Sequence, residues 1–207
     1  MIPVNVLAVQ YLSAASDELC KALGAPAGYP CLGLITTDCD DATYIALDEA
    51  TKAADVQVCF GSSFYAGAAN ASTPHAGEVL GVLCATTPGA VRSGMEAAIS
   101  ALERIGFESA GEVPYLAFTV SSCGSFLAKE AGVEQGSSLA YLIAPPLESM
   151  YGMDFALKAA DVKLCKLYAP PSPTNFGGGL LTGTRSACAA ACSAFADGVA
   201  EVAQRPK

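Results

Sequence analysis

The chain has 207 residues, of which 52% are hydrophobic and 15% charged, with a formal net charge of −9 and a mean hydropathy of +0.40. That length fits one large core or two smaller ones, and the apolar excess, much of it Ala and Gly, points to extensive subunit contacts. The acidic balance argues against a nucleic-acid binder, which needs Lys/Arg to neutralise phosphates, and leaves room for a cationic small ligand.

Met1 to Ser16 lacks a basic region and runs into Asp17 and Glu18, which argues against a secretory signal. Within it, Val4 to Gln10 alternates apolar residues and reads as a strand. Ser16 caps a short helix through Leu23, which Gly24 ends. Cys31 to Ile35 is a second strand, followed by an acidic turn, Thr36 to Asp41, and an Ala-rich helix, Ala42 to Ala54. Strand Val56 to Phe60 leads into a long uncharged loop, Gly61 to Ala76. Glu78 to Cys84 is strand, and Pro88 opens a helix that reaches Ile105. Gly106 to Pro114 is the joint to a second half with the same plan. There Leu116 to Ser121 is strand, Ser125 to Ala131 helix, Leu139 to Ala144 strand and Leu147 to Ala160 helix after the turn at Pro145 and Pro146. Strand Val162 to Tyr168, a second uncharged loop from Ala169 to Gly178, strand Leu180 to Gly183 and helix Arg185 to Val202 complete it. The longest uncharged stretches, Val56 to Gly77 and Leu167 to Thr184, are broken by Gly, Pro, Asn and Ser, so neither supplies the roughly 20 consecutive apolar residues of a membrane span.

The two halves are copies. Asp48 to Cys59 returns at Asp154 to Cys165 with one offset of 106 residues, matching Ala50/Ala156, Lys52/Lys158, Ala53/Ala159, Ala54/Ala160, Asp55/Asp161 and Val56/Val162 as well as both ends. Strands alternating with helices in two equivalent halves mean an α/β architecture of sheets covered by helices, with domains at 1–110 and 111–207.

Few residues carry chemistry. The nine cysteines show no disulfide framework and no C-x-x-C, so reduced thiols are expected; Cys188 and Cys192 share a helix face but make only half a zinc site. His75 is the only histidine and receives no role. Asp38, Asp40 and Asp41 precede a helix. They serve either as caps, worth about 0.5–2 kcal/mol, or as a cation site or pore lining, since one cap needs only one carboxylate. Glu78 opens a strand, as an edge charge or a site residue. Lys52 and Lys158 end equivalent helices, where each favours the helix dipole or makes an edge contact.

Several motifs carry a family resemblance. Leu32-Gly33-Leu34-Ile35, Lys52-Ala53-Ala54-Asp55-Val56, Pro88-Gly89-Ala90-Val91-Arg92-Ser93-Gly94 and Glu103-Arg104-Ile105-Gly106 resemble the bacterial microcompartment (BMC) shell domain, as do Leu142-Ile143 and Lys158-Ala159-Ala160-Asp161-Val162 in the second half. A strand and helix ahead of the motif in each half resemble the circularly permuted form. Asp38 to Tyr44, Tyr65 to Ala68, Ala144 to Glu148 and Leu181 to Gly183 are similar to the tandem branch found in ethanolamine utilisation. Two departures are a shorter N-terminus and a trimmed joint beside Phe107.

The resemblance implies two tandem permuted BMC domains, each a mainly antiparallel sheet flanked by helices, forming a pseudohexameric homotrimer. Such trimers tile with neighbouring shell proteins around an enzyme-filled compartment in the cytoplasm, without catalysis or a required cofactor. It further implies a small acidic pore in each subunit, lined by Asp40, Asp41, Glu78, Phe107 and Thr182, that takes ethanolamine or a similar small amine or alcohol. The central pore loops carry Phe64, Tyr65, Asn175 and Phe176, with a docking place for cobalamin near the axis, and Lys52 and Lys158 make shell-edge contacts. The alternatives are a small-ligand sensor of tandem α/β sandwiches and a shell protein of an ethanol or propanediol compartment.

Overall fold

The computed structural model describes residues 1–65, 77–170 and 172–207. Among them the elements run β1 (Val6–Leu12), α1 (Asp17–Ala22), β2 (Cys31–Thr37), α2 (Asp40–Ala53), β3 (Gln57–Ser63), β4 (Val79–Ala85) and α3 (Pro88–Leu102). They continue with β5 (Glu108–Ala110), β6 (Val113–Val120), α4 (Ser125–Ala131), β7 (Ser138–Ala144), α5 (Pro146–Ala159), β8 (Val162–Tyr168), β9 (Gly177–Gly183) and α6 (Arg185–Gln204). They form two compact units. The first comprises Pro3–Ile105 with Gly124–Phe126; the second comprises Met1–Ile2, Gly106–Cys123 and Leu127–Lys207. The sequence had placed a single division after residue 110.

In the first unit the strand order is β1-β2-β4-β3, antiparallel throughout. β4 lies inside the sheet and is apolar along its length, so both of its faces need cover. On one face Leu47 of α2 reaches Gly81 and Met95 of α3 reaches Gly33. On the other, Cys20 of α1 clusters with Leu32, Val82 and Cys84. α2 consists mostly of good helix formers and buries Ala42, Ile45, Ala46, Leu47 and Ala50.

The second unit has the order β5-β6-β7-β9-β8, again antiparallel. α6 is long and apolar enough to cross a membrane by length and composition. Its apolar stripe, Cys188, Ala191, Cys192, Phe195 and Val199, recurs every three or four residues and packs on Met153 and Ala156 of α5 and on Leu142 and Leu181 of the sheet. Burying the Phe195 ring completely contributes about 1.5–3 kcal/mol.

The expected elements are all present, with ends that move by two or three residues: β2 runs on to Thr37, β3 runs on through Gly61 to Ser63, α2 starts at Asp40 and α3 stops at Leu102; two further differences bear on the second unit. The joint is not wholly irregular, because Glu108–Ala110 pairs with Val113–Tyr115 across a two-residue turn whose Gly111 has φ +64°. The strand expected from Leu116 therefore starts at Val113. β9 begins at Gly177 rather than Leu180, since Gly177, Gly178 and Gly179 pair with Ala144, Ile143 and Leu142. Glycine is a poor strand former, and neighbouring strands override that preference here.

Candidate functional site

The acidic corner lies in the first unit, where β2 hands over to α2. Thr37 and Thr43 hydroxyls stand 2.7 Å apart. Thr43 Oγ1 donates to the Cys39 carbonyl at 2.8 Å, and the Cys39 N–H donates to Thr37 Oγ1 at 3.1 Å. This tie sets the angle at which the helix leaves the strand. Cys39 is the N-cap residue, and no side chain caps the helix. Asp38 turns instead to Asn5, accepting from its backbone N–H at 2.8 Å and from its side-chain amide at 2.6 Å. Asp40 and Asp41 sit inside the first turn of α2 rather than ahead of the helix, where their charge interacts favourably with the N-terminal dipole. They are 7% and 8% exposed, and Asp40 Oδ1 accepts the Asp41 N–H at 2.9 Å.

Glu78 reaches the same corner because of Gly77. A Cβ at residue 77 would stand 2.2 Å from the Thr37 carbonyl oxygen and 2.3 Å from Thr36 Oγ1; glycine alone allows that approach. The Glu78 N–H then donates to the Thr37 carbonyl at 2.8 Å, which places the residue beside the acidic turn. Burial raises the Glu78 carboxyl above its ordinary pKa, and Asp40 and then Asp38 push it the same way. The Cys39 thiol is likewise held protonated, chiefly by burial, with smaller contributions from Asp41, Asp40 and Asp38. Two buried carboxylates, a third half-buried carboxyl that resists ionising and Asp38 beside them make a strongly negative corner. A small cation would relieve that repulsion.

The other residues read from sequence lie as follows. Phe107 and Thr182 belong to the second unit. Phe107 packs edge-on against Phe176, with centroids 5.6 Å apart, so residues expected at two different pores touch each other. Thr182 Oγ1 donates to the Ser138 carbonyl at 2.9 Å, leaving that oxygen free only to accept. In the first loop the Phe64 N–H donates to the Glu78 carbonyl at 2.8 Å; Phe64 is 39% and Tyr65 53% exposed. The rest of that loop as expected, through Ala76 and including His75, lies outside the described residues. Asn175 takes a left-handed φ of 62°, a conformation that asparagine tolerates better than most residues. Lys52 pairs with Glu49 and Lys158 with Asp154, both at 2.5 Å.

One buried polar contact was not legible in the repeat. The Asp48 carboxylate, fully buried, accepts the Gly124 N–H at 2.7 Å, and Thr51 Oγ1 accepts the Ser125 N–H at 3.1 Å. α2 therefore satisfies the amides that open α4. No local motif announces a partner 76 residues away.

The BMC domain family matches residues 31–115. The chain is 54% identical over 210 aligned positions to the bacterial microcompartment shell protein EutL of Clostridium perfringens, an alignment covering 100% of this chain and 97% of that protein. It superposes on the crystal structure of the ethanolamine utilization protein EutL from Leptotrichia buccalis with a TM-score of 0.96 and 54% identity, covering 99% of this chain and 96% of that one. A trimeric bacterial microcompartment shell protein, PduB, shares the fold at a TM-score of 0.79 and 17% identity, over 95% of this chain and 88% of its own. The chain belongs to the bacterial microcompartment shell protein family, among the tandem BMC-domain proteins represented by EutL.

Proposed function

We propose that the acidic corner is the cation-recognising part of a small pore through which this shell protein passes ethanolamine, and that the chain works as a homotrimer tiled among neighbouring shell proteins. The protein is a structural shell component of an ethanolamine-utilisation microcompartment, and its role here is passage, with no catalytic step assigned. The observation that carries the reading is the burial of Asp40 and Asp41 beside a Glu78 whose ionisation is opposed by burial, by Asp40 and by Asp38. An ammonium group lowers the energy of all three carboxylates, through charge-assisted hydrogen bonds of about 1.5–3 kcal/mol each. Desolvation of the cation offsets much of that, which leaves weak, reversible binding of the kind passage requires. By the family resemblance Thr182 belongs to the same proposed lining, and with its proton committed to Ser138 its Oγ1 acts as an acceptor. Phe107, packed on Phe176, would supply an apolar wall. In the same proposal Phe64, Tyr65, Asn175 and Phe176 belong to the loops of a central pore, and Lys52 and Lys158 face neighbouring tiles.

The test is calorimetry and crystallography with ethanolamine on the wild type and on the triple variant Asp40→Asn, Asp41→Asn, Glu78→Gln. Loss of binding in the triple variant is expected, and unchanged affinity would discard the pore assignment. Sedimentation equilibrium checks the assembly, with a trimer expected and a monomer contradicting it.

A further inference from the structure

The turn that carries the acidic corner is fastened to the start of the first strand by one residue. Asn5 stands immediately ahead of β1. Its backbone N–H donates to Asp38 Oδ1 at 2.8 Å and its side-chain amide to Oδ2 at 2.6 Å. The Asp38 N–H donates back to the Asn5 carbonyl at 3.2 Å. The neighbouring pair, Val6 and Thr37, belongs to the β1–β2 ladder, so this clamp extends the antiparallel register one step beyond the end of β2. It holds the chain where strand turns to helix, just ahead of Asp40.

Helix initiation does not call for the clamp. Asp38 precedes the N-cap residue, Cys39, and α2 has no side-chain cap. The second unit has no counterpart: at the 106-residue offset Asp38 becomes Ala144, which ends β7 with no polar side chain. What sets the clamp apart is the chemistry of its donors. Both are neutral, whereas a lysine or arginine at residue 5 would hold the same carboxylate and cancel its charge. An amide orients Asp38 and leaves the charge standing, and that charge adds to the opposition Glu78 meets on ionising.

On the reading that the corner passes ethanolamine, we propose that Asn5 is a positioning residue of that corner. Its neutral donors fix Asp38 and the turn behind it, and leave the negative charge to be met by a cation from solution. Each Asp38 oxygen already accepts one donor, so the residue draws the cation through its field, which needs no direct contact.

Calorimetry of the full-length protein with ethanolamine, at low and high salt, tests this role. Asn5→Ala removes the amide and keeps the backbone donor, and should weaken binding about fivefold. Asn5→Lys supplies a donor together with a charge; it should weaken binding at least as much and flatten the salt dependence. Asp38→Asn keeps an acceptor for Asn5 while removing the charge, and should flatten the salt dependence in the same way. A residue that only supported the fold would lower affinity and leave the salt dependence alone. The role is overturned if Asn5→Ala binds as the wild type does, or if Asn5→Lys or Asp38→Asn keeps the wild-type salt dependence. Should an Asn5 variant fold poorly, Asp38→Asn decides, being nearly isosteric with the native residue. A wild type that binds no ethanolamine defeats the passage reading itself, and the role of Asn5 with it. That result is distinct from failure of Asn5 alone, in which the wild type binds and the variants match it.

Discussion

The two strand-to-helix corners at equivalent places in the two units differ in almost every side chain. α2 begins Asp40-Asp41 and α5 begins Pro146-Leu147. Neither helix has a side-chain cap bond, and each carries an acid in its first turn, Glu148 in the second unit. The second corner relies on proline at its first position, which has no N–H to satisfy, and exposes Leu147 at 64%. The first buries two carboxylates. Since the fold builds this corner without buried acids in one copy, their presence in the other is not a requirement of helix initiation. In the proposed reading those acids serve the cation, and the difference between the corners is what the following experiments probe.

The repeat-equivalent aspartates should show the largest difference. Asp48→Ala leaves the Gly124 N–H buried and unpaired, and a loss of about 1–3 kcal/mol is expected in denaturant unfolding. Asp154→Ala removes only an exposed pair with Lys158, and should cost less than about 0.5 kcal/mol. Equal effects would break the distinction between the halves. Gly124→Ala should match or exceed Asp48→Ala, since a Cβ there would stand 2.2 Å from Thr51 Oγ1 and 2.7 Å from the Asp48 carbonyl oxygen.

Glu78 sharpens the comparison through pH. Its folded pKa is raised above the ordinary 4.5, so the folded state holds that proton more tightly than the unfolded one. Its contribution to stability is complete below the unfolded pKa and is lost as pH rises through the folded pKa. Glu78→Gln should therefore raise the melting temperature modestly at pH 7 and leave it unchanged near pH 4. Bound ammonium favours the ionised carboxylate, so ethanolamine affinity should fall as pH drops through the Glu78 pKa. A melting temperature that Glu78→Gln leaves unchanged at both pH values would remove the electrostatic tension assigned to this corner.

The lysines carry the smallest effect on the isolated protein. Lys52→Ala and Lys158→Ala each remove a helix-surface pair and should change stability by about 0.3–0.5 kcal/mol or less. Their effect should appear in sheet formation by electron microscopy, where both variants are expected to tile poorly and intact sheets from both would dismiss an edge role.

Much of this was legible in the chain because it is local. Apolar alternation, Pro88 and the paired Lys-Ala-Ala-Asp-Val motifs located the elements and the duplication, whereas the sensor alternative stayed open in the sequence and only the EutL relatives decided for a shell protein. The extra carboxylates at Asp40 and Asp41 stood out against the needs of one cap. What stayed hidden depends on tertiary pairing. Three glycines concealed the start of β9, Gly111 concealed a hairpin within the joint, and the same aspartate of a repeated motif is buried as Asp48 but exposed as Asp154.

The claim that charge at the first corner recognises a cation is tested most directly by titrating the wild-type protein, at pH 7 in one buffer, with ethanolamine and with its neutral counterpart 1,2-ethanediol. Measurable calorimetric binding of ethanolamine, weakened by added salt, and none of the diol is the predicted result. Equal binding of the two, or binding of the diol alone, would contradict it.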